Sequence, residues 1–452
     1  MHTAPTAPAR PDCPPRGTRR PTPGRHHLRV GALTLSGLLS ASSGHAIDLG
    51  PFSLTGFGKV EFTRVANDCA DCQRFKDENK QRFWADELVP GREYKNREHH
   101  VTLFQPYLGV KFDLPKGFKL AGLVSQRWRD GKEDIPGFFY DKNLALSHED
   151  YGSLRIGAMT TRAWSVADYP YGSNIGLADV WGSSGAGYGL LTQALRYTSR
   201  QLDVLEGDLV LEATYDRGNT GFKINKPQFW ELYAQFHRGD LVLDAMFQDA
   251  RNGTPAAWGH GPFTGLTPFA VDDPKLGGSG QSIVMVMGRY QIDSRFELSA
   301  GLRRNRWSGA YAKITGFEAG NAQWNTMFNV DWTQDLGGGV YRGYAATSTD
   351  AMLGLRYRTG AWTASTGMAY LGQASTDNPT ERGQSNSALV NTLVLNYDFG
   401  NGFQAYGLAG MVRYGRLGLS PLSMPANSAF TNVDPRITRS GTWLGAGAVF
   451  VF

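Results

Sequence analysis

Two groups of side chains in the sequence could act together on a dissolved solute. The first lies in the glycine-, serine- and aromatic-rich stretch 163–192 and comprises Asp168, Tyr169, Tyr171, Asp179 and Trp181. The second is basic and comprises Lys59, Lys119, Arg127, Arg129, Arg155 and Arg196. Acids that face bases across a narrow passage would create a transverse field, which orients dipolar solutes and discriminates between ions. For each arginine, a salt bridge to Glu61, Asp113 or a neighbouring acid is the alternative interpretation.

Cysteine and histidine offer little further chemistry. Cys69 and Cys72 are separated by two residues and are predicted to form a local disulfide in an oxidising compartment. A redox or metal-binding pair is the alternative, but a thioredoxin-like pattern and a second Cys or His pair are both missing. His99 and His100 could bind a metal, although a solvated pair between a loop and a strand is the simpler interpretation. The sequence has no Gly-x-Ser-x-Gly or His-Glu-x-x-His motif, so no metal, cofactor or catalytic residue is predicted.

The elements that would position these groups repeat as strand, short turn, strand and long connection. Sixteen strands are predicted at 52–66, 100–114, 118–129, 139–148, 153–162, 193–200, 208–216, 230–238, 241–249, 281–292, 296–307, 350–359, 361–372, 388–399, 403–414 and 441–452. Seven connections are short and rich in tight-turn residues, and eight are long. This alternation is typical of a transmembrane antiparallel β-barrel, with short periplasmic turns and long extracellular loops. We expect the long third loop to fold into the barrel.

Period-2 alternation separates the side chains that suit lipid from those that suit water. In 241–249, Leu241 and Leu243 share a face opposite Asp244 and Gln248. Aromatic residues lie near strand ends, as interfacial girdles require: Phe62, Trp128, Tyr215, Trp230, Tyr357, Trp362, Tyr397 and Phe452. Three residues fit this scheme poorly. Pro106 interrupts a strand, and Lys142 and Arg304 fall on the outward face, where we expect a bulge or a register error.

The two ends of the chain point to export. Residues 1–46 contain six arginines and one acid, then an apolar run and a small-residue site before Ile47. They are predicted to be a cleaved signal peptide, which leaves 47–452 as a single barrel domain. The chain ends in Phe452 after an alternating apolar strand, which suits the last strand of a barrel facing lipid.

The net charge excludes a nucleic-acid partner. The full chain carries 46 Lys and Arg, 41 Asp and Glu and a net charge of +5. The leader accounts for six of the bases and one of the acids, so 40 of each remain in the mature chain. The basic excess therefore lies in the leader, and a nucleic-acid or polybasic membrane-surface function has no support.

Several stretches give the chain a resemblance to the general Gram-negative porin family. They are 52–61 at the mature start, 152–162 before the third loop, 195–199 after it, and the terminal Phe452. The resemblance implies a sixteen-stranded outer-membrane barrel, a third-loop constriction, passive diffusion of small hydrophilic solutes and a homotrimer. The chain lacks the Pro-Glu-Phe-Gly-Gly-type stretch of that loop, and its second loop, at 130–138, is short.

The expected partners are therefore outer-membrane lipids and small solutes or ions. The leading hypothesis is a porin that is not an enzyme. A substrate-specific uptake channel is the alternative, and a barrel enzyme or an adhesin is a weaker one.

Overall fold

A computed structural model describes most of the chain from Ala46 onwards. The described residues are 46–69, 98–133, 141–162, 189–217, 223–224, 226–251, 256–259, 279–309, 311–312, 330–337, 340–373, 375–377, 379, 387–415 and 438–452. The predicted signal peptide, apart from Ala46, lies outside these ranges. The predicted third-loop residues and Cys72 lie outside them too.

Sixteen long strands form one closed antiparallel barrel, which confirms the predicted fold. They are β1 (Phe52–Cys69), β2 (Glu98–Asp113), β3 (Lys119–Ser125), β4 (Lys142–His148), β5 (Gly152–Thr160), β6 (Gly189–Thr198), β7 (Gly207–Asp216), β8 (Gln228–Arg238), β9 (Leu241–Arg251), β10 (Ser279–Gln291), β11 (Phe296–Gly309), β12 (Ala346–Thr359), β13 (Trp362–Leu371), β14 (Ala388–Gly400), β15 (Phe403–Tyr414) and β16 (Thr438–Val451). Each strand pairs with the next one along the chain.

Shorter strands accompany the barrel. Those that extend or flank its sheet are Ile47–Leu49, Trp128–Arg129, Lys132–Glu133, Leu202–Val204, Ala256–Gly259 and Ser375–Thr376. A separate three-stranded sheet lies between β11 and β12 in the chain and consists of Tyr311–Ala312, Val330–Gly337 and Val340–Gly343. No helix within the described ranges is long and apolar enough to span a membrane.

The barrel closes where the first and last strands pair. The register of β1 and β16 runs from Phe57 opposite Val451 to Cys69 opposite Thr438. At one end of this seam, the Gly56 N–H donates to the Phe452 carbonyl at 2.8 Å, and the Phe452 N–H donates to the Gly56 carbonyl at 3.0 Å. The Phe452 ring stacks on Phe104 of β2 and on Phe450. The chain terminus is therefore held by both backbone and aromatic contacts.

The outer face of the barrel is apolar, and the inner face carries the polar side chains. Leu232, Leu302 and Leu444 are 50%, 61% and 68% exposed on the outside. On the inner face, Glu231 and Asp244 are buried. Cross-strand aromatic pairs, such as Tyr215 with Trp230 and Trp362 with Tyr397, lie near the strand ends. This arrangement is that of a barrel wetted outside by lipid.

Short turns join the strands at one end of the barrel. Gly239, Gly360, Asn401 and Gly402 have positive φ, as tight hairpins require. In the turn between β10 and β11, the Asp293 carboxylate accepts the backbone N–H groups of Arg295 and Phe296 at 2.7 and 2.8 Å. These two bonds lower the pKa of the Asp293 carboxyl.

Pro106, which interrupts a predicted strand, removes no hydrogen bond from the sheet. It lies opposite Gly56, whose two backbone groups both bond to Phe452 on the other side. The Pro106–Gly56 pair is therefore a non-hydrogen-bonded one, and the missing N–H points towards the third strand. That strand is interrupted there, because β3 ends at Ser125 and pairing resumes at Trp128. The proline faces the gap.

Lys142 and Arg304 do face outward. Beside Lys142, strand β5 bulges between Gly157 and Met159, but Lys142 still shares its exposed face with Leu144. Around Arg304 the pairing of β11 with both neighbours is regular, so the expected irregularity is wrong there. The outward position of Arg304 is a property of the fold.

Closure at the seam predicts a strong effect at Gly56. A Cβ at this position would lie 2.7 Å from the Gln105 carbonyl oxygen and 2.8 Å from the Phe452 ring. Gly56→Ala should therefore destabilise the barrel by roughly 1–3 kcal/mol through overpacking. The measurement is the temperature at which the folded, fast-migrating form is lost in heat-modifiability electrophoresis.

Gly58→Ala is the matched control, since the nearest atom to its new Cβ is 3.9 Å away. Equal melting of the two variants would contradict the role of close packing at the seam.

Candidate functional site

Strand register places charged side chains in rows across the inner wall. One row, which we call the Arg155 row, crosses β5 to β9 as Arg155, Arg196, Thr214, Glu231 and Gln248, each directly opposite the next. The adjacent Glu212 row crosses β6 to β9 as Thr198, Glu212, Tyr233 and Met246. Because side chains alternate along each strand, these residues share the inner face. The strands thus bring together groups that are far apart in the sequence.

Positive and negative charges are segregated along this wall. Among the described side chains, the buried or half-buried arginines on or beside β3 to β6 are Arg127, Arg155, Arg162 and Arg196. The buried acids of β7 to β9 are Glu212, Asp216, Glu231 and Asp244. Asp141, which precedes β4, lies among the bases, where its carboxylate accepts the Ser125 hydroxyl at 2.6 Å. The wall therefore carries a lateral charge separation of its own.

A buried ion-pair cluster joins the two sectors. Arg162 donates to both carboxylate oxygens of Glu212, from Nε and Nη2, at 2.7 Å each. Its guanidinium lies 5.0 Å from the centre of the Tyr233 ring, at cation–π distance. The Arg162 backbone N–H donates to both oxygens of Glu231 at 2.8 and 3.0 Å. Arg162, two residues beyond the end of β5, is thereby fixed to β7 and β8.

Arg196 completes this cluster. Its Nη2 donates to the Thr160 carbonyl at 2.8 Å and lies 3.3 Å from Glu231 Oε1. Its Nε donates to the Thr214 hydroxyl at 2.8 Å and lies 3.2 Å from Glu212 Oε1. Two bases and two acids are thus nearly neutral as a group. All four are buried, so each charge depends on the others.

Arg155 stands apart from the cluster. It lies directly opposite Arg196, and its guanidinium donates to the Asn143 amide oxygen at 3.1 Å. Within the described residues Arg155 forms no ion pair, and it is only half-buried. Like charges placed directly opposite each other destabilise a sheet. Arg155 remains opposite Arg196 despite this repulsion, so it is a candidate for binding or steering anions.

The inner wall also has an apolar sector. Met246, Ile283, Met285, Met287 and Met352 point inward from β9, β10 and β12 and are at most 4% exposed. Beyond them, Arg303 donates to Asp350 from Nε and Nη2 at 3.0 and 2.7 Å. Asn305 donates to the same carboxylate oxygen at 2.8 Å. The inner wall therefore has a basic, an acidic and an apolar sector, and buried ion pairs on two sides.

The predicted wall residues occupy different environments. Lys59 is buried, 2.9 Å from Glu61, which also accepts the Tyr406 hydroxyl at 2.6 Å. Lys119 is exposed beside the first short turn, in register with Asp113. Arg127 is 2% exposed. Arg129 pairs with Leu103 through its backbone, and its side chain is not among those described. For Lys59 and Arg196, the salt-bridge interpretation applies.

Other predictions lie wholly or partly outside the described residues. Asp168, Tyr169, Tyr171, Asp179 and Trp181 do so, and the constriction by the third loop stays a prediction. Cys69 ends β1, but Cys72 is not described, so the disulfide stays a prediction as well. No group of three or more His, Cys, Asp or Glu side chains that could hold a metal ion occurs in the described part.

Sequence reasoning missed the partners of the arginines. Arg162, Glu212 and Glu231 are not among the residues that the sequence predicts for the site. The available signal was charge of opposite sign at inward positions of neighbouring strands. Using it requires a register accurate to one residue, because a slip by one reverses the facing.

Comparison with known proteins finds similarity in structure and none in sequence families. No family model matches the sequence, and no curated protein does. Among solved structures, the anion-selective porin from Comamonas acidovorans has a TM-score of 0.54 and 12% sequence identity, with 89% of this chain and 99% of that chain covered. The outer-membrane expressed OmpT of Vibrio cholerae has a TM-score of 0.53 and 13% identity, over 90% of this chain and all of that chain.

A trimer form of the in-vitro folded Vibrio cholerae OmpT is similar to the same degree, with a TM-score of 0.53 and 13% identity over 89% of this chain and 100% of that chain. At such identities the likeness concerns the fold. The chain has the closed sixteen-stranded barrel of outer-membrane porins and is a distant structural relative of them.

Proposed function

We propose that the protein is an outer-membrane channel through which small hydrophilic solutes and ions diffuse passively. The observation that carries this proposal is the inner wall of a closed, lipid-compatible barrel, on which Arg155 faces the lumen beside Arg196 without an ion pair in the described part of the chain. A sixteen-stranded barrel is wide enough for an aqueous passage, and fixed wall charges discriminate among the solutes in it.

Export, location and assembly belong to the same proposal. Residues 1–46 would direct the chain across the inner membrane, and Phe452 would mark it for the outer membrane. The trimer form of a structural neighbour supports a homotrimer here. Asp168 and Asp179 of the third loop would supply acids opposite the basic wall.

A substrate-specific uptake channel is the second candidate. The apolar sector around Met285 favours it, because a porin wall that serves only water-like solutes has no need of buried methionines. The unpaired Arg155 on the inner wall of the described part would suit a solute with an anionic end. Saturable block of the ion current by one such solute would identify this class of channel.

An enzyme remains a weaker candidate. His148 ends β4 beside a short turn, where its Nε2 contacts the Lys116 carbonyl at 3.0 Å and its Nδ1 accepts the Asp150 N–H at 3.1 Å. Such a ring stabilises a turn and is not set beside a nucleophile. Assays with lipid and peptide substrates test this candidate, and turnover by the purified barrel would overturn the channel proposal.

Single-channel recording tests the role of Arg155. In planar bilayers with a KCl gradient, Arg155→Gln should shift the reversal potential towards cation selectivity. The permeability ratio should change by up to about fivefold, the effect of one unit charge at close range in water. Arg251→Gln is the control, since it removes the same charge from the outer face, where Arg251 pairs with Asp249 at 3.0 Å. Equal shifts in both variants would remove Arg155 from the selectivity of the channel.

The ion-pair cluster predicts a large stability effect at Glu212. Glu212→Gln leaves Arg162 and Arg196 buried with too little negative charge and should cost about 3 kcal/mol. The double variant Arg162→Gln with Glu212→Gln should recover part of this loss, as coupled residues do. Urea unfolding followed by tryptophan fluorescence measures both.

Glu206→Gln is the matched control. Glu206 pairs with Arg238 at an exposed turn, where an ion pair contributes under about 1 kcal/mol. If Glu212→Gln unfolds at the same urea concentration as this control, the ion-pair cluster does not stabilise the inner wall.

A further inference from the structure

Four successive residues of β11 alternate between the two faces of the barrel. Arg303 and Asn305 point inward, are buried and bond to Asp350. Arg304 and Arg306 point outward and are exposed. The register with β10 and β12 is unbroken through this stretch, so the outward arginines follow from the alternation itself. Arginine on the lipid-facing side is costly unless it meets a polar partner.

The neighbours of the two arginines are small and hydroxylated. Arg304 lies between Val284 and Thr349, and Arg306 lies between Ser282 and Thr347. We call these five polar residues the rim patch: Ser282, Arg304, Arg306, Thr347 and Thr349. Within the described residues neither arginine forms an ion pair, and the cross-strand neighbours include no acid. The patch therefore presents two positive charges and three hydroxyl groups to the outside.

The position of the patch along the barrel is close to a membrane interface. At the opposite end of β11, Phe296 packs on Tyr357, with 4.8 Å between ring centres. Arg304 follows Phe296 by eight residues, about 20 Å along the membrane normal for a strand tilted by roughly 40°. Arg306 lies about 25 Å away, and the apolar belt of such a barrel is about 25 Å tall. The patch thus borders the belt on the side of the long connections.

Exposed aliphatic side chains lie directly below the patch, towards the middle of the belt. Val284, Val286, Leu302 and Leu353 are 50%, 53%, 61% and 48% exposed. A ligand that fits this surface has a phosphorylated or otherwise anionic head at the arginines and acyl chains over the aliphatic residues. Guanidinium groups bind phosphate oxygens in pairs, and hydroxyls add further donors.

Other outward arginines differ from this pair. Arg251 is neutralised by Asp249, and Arg238, at the end with the short turns, is neutralised by Glu206. Arg64 and Arg413 also face outward, but each stands alone on its strand. The two arginines of the rim patch lie about 7 Å apart along one strand and on the same face.

We propose that the rim patch binds the phosphorylated headgroup of a glycolipid in the outer leaflet of the membrane. This inference rests on the proposed function in one respect, the location in an outer membrane. The bound headgroup neutralises Arg304 and Arg306, and its acyl chains cover the aliphatic surface below them. The site is separate from the lumen, because the side chains of all five patch residues lie on the outer face of the barrel.

Lipid titration tests the proposal. The full barrel in zwitterionic detergent is mixed with diphosphorylated lipid A, with the same lipid after removal of its phosphates, or with inorganic phosphate, and adducts are counted by native mass spectrometry. Wild type should bind the diphosphorylated lipid, and the double variant R304Q/R306Q should bind it roughly thirtyfold more weakly. Arg238→Gln, which removes an outward arginine at the other end, should bind like wild type.

Three results would overturn the assignment. The first is equal binding of the phosphorylated lipid by wild type and the double variant. The second is equal binding of the dephosphorylated lipid, which would make the phosphate groups irrelevant, or of free phosphate, which would make the lipid irrelevant. The third is loss of oligomers by the double variant in lipid-free detergent, which would assign the patch to a second copy of the chain.

Conductance measurements on the same variants distinguish a failure of the lipid-site proposal from a failure of the channel proposal. R304Q/R306Q should retain wild-type single-channel conductance, because neither arginine faces the lumen. A barrel that binds lipid but never conducts would refute the channel and leave the lipid site in place.

Discussion

Backbone hydrogen bonding in lipid is the constraint on which the rest of the structure depends. Hydrocarbon offers no partner for an open sheet edge, so the first and last strands must pair along their length. Here β1 and β16 do so, and Phe452 bonds to Gly56 at the end of the seam. The one proline within a strand of the described part of the chain, Pro106, is tolerated because its missing donor faces a gap in the third strand.

Closure fixes the register, and the register determines which charges meet. Once the strands are aligned, alternation sends Arg196, Thr214 and Glu231 to the same level of the inner wall. The buried cluster around Glu212 then follows from proximity, and burial makes each member depend on the others. Arg155 occupies the next place in the row with an amide as its partner. The selectivity proposed for the lumen is thus a consequence of sheet geometry.

Much of the barrel could be predicted from the sequence because its two signals are local. Turn residues such as Gly239-Asp240 and Gly400-Asn-Gly mark the hairpins, and period-2 alternation marks the facing. The partners of a given arginine could not be predicted, because they depend on the alignment of strands that are distant in the chain. Arg162 illustrates the limit, since it lies after a strand end and its contacts reach residues 50 and 69 positions away.

The same alternation explains why Arg304 looked anomalous in the sequence. A strand that needs Arg303 and Asn305 on the inner face to hold Asp350 has no freedom in where the intervening residue points. An apolar residue at 304 would meet that geometric demand, so the inward contacts do not require an arginine there. Arginine at both 304 and 306 therefore needs a reason on the outer face. An anionic headgroup at the membrane interface supplies it, because the guanidinium groups gain a charged partner at the depth where the apolar belt ends.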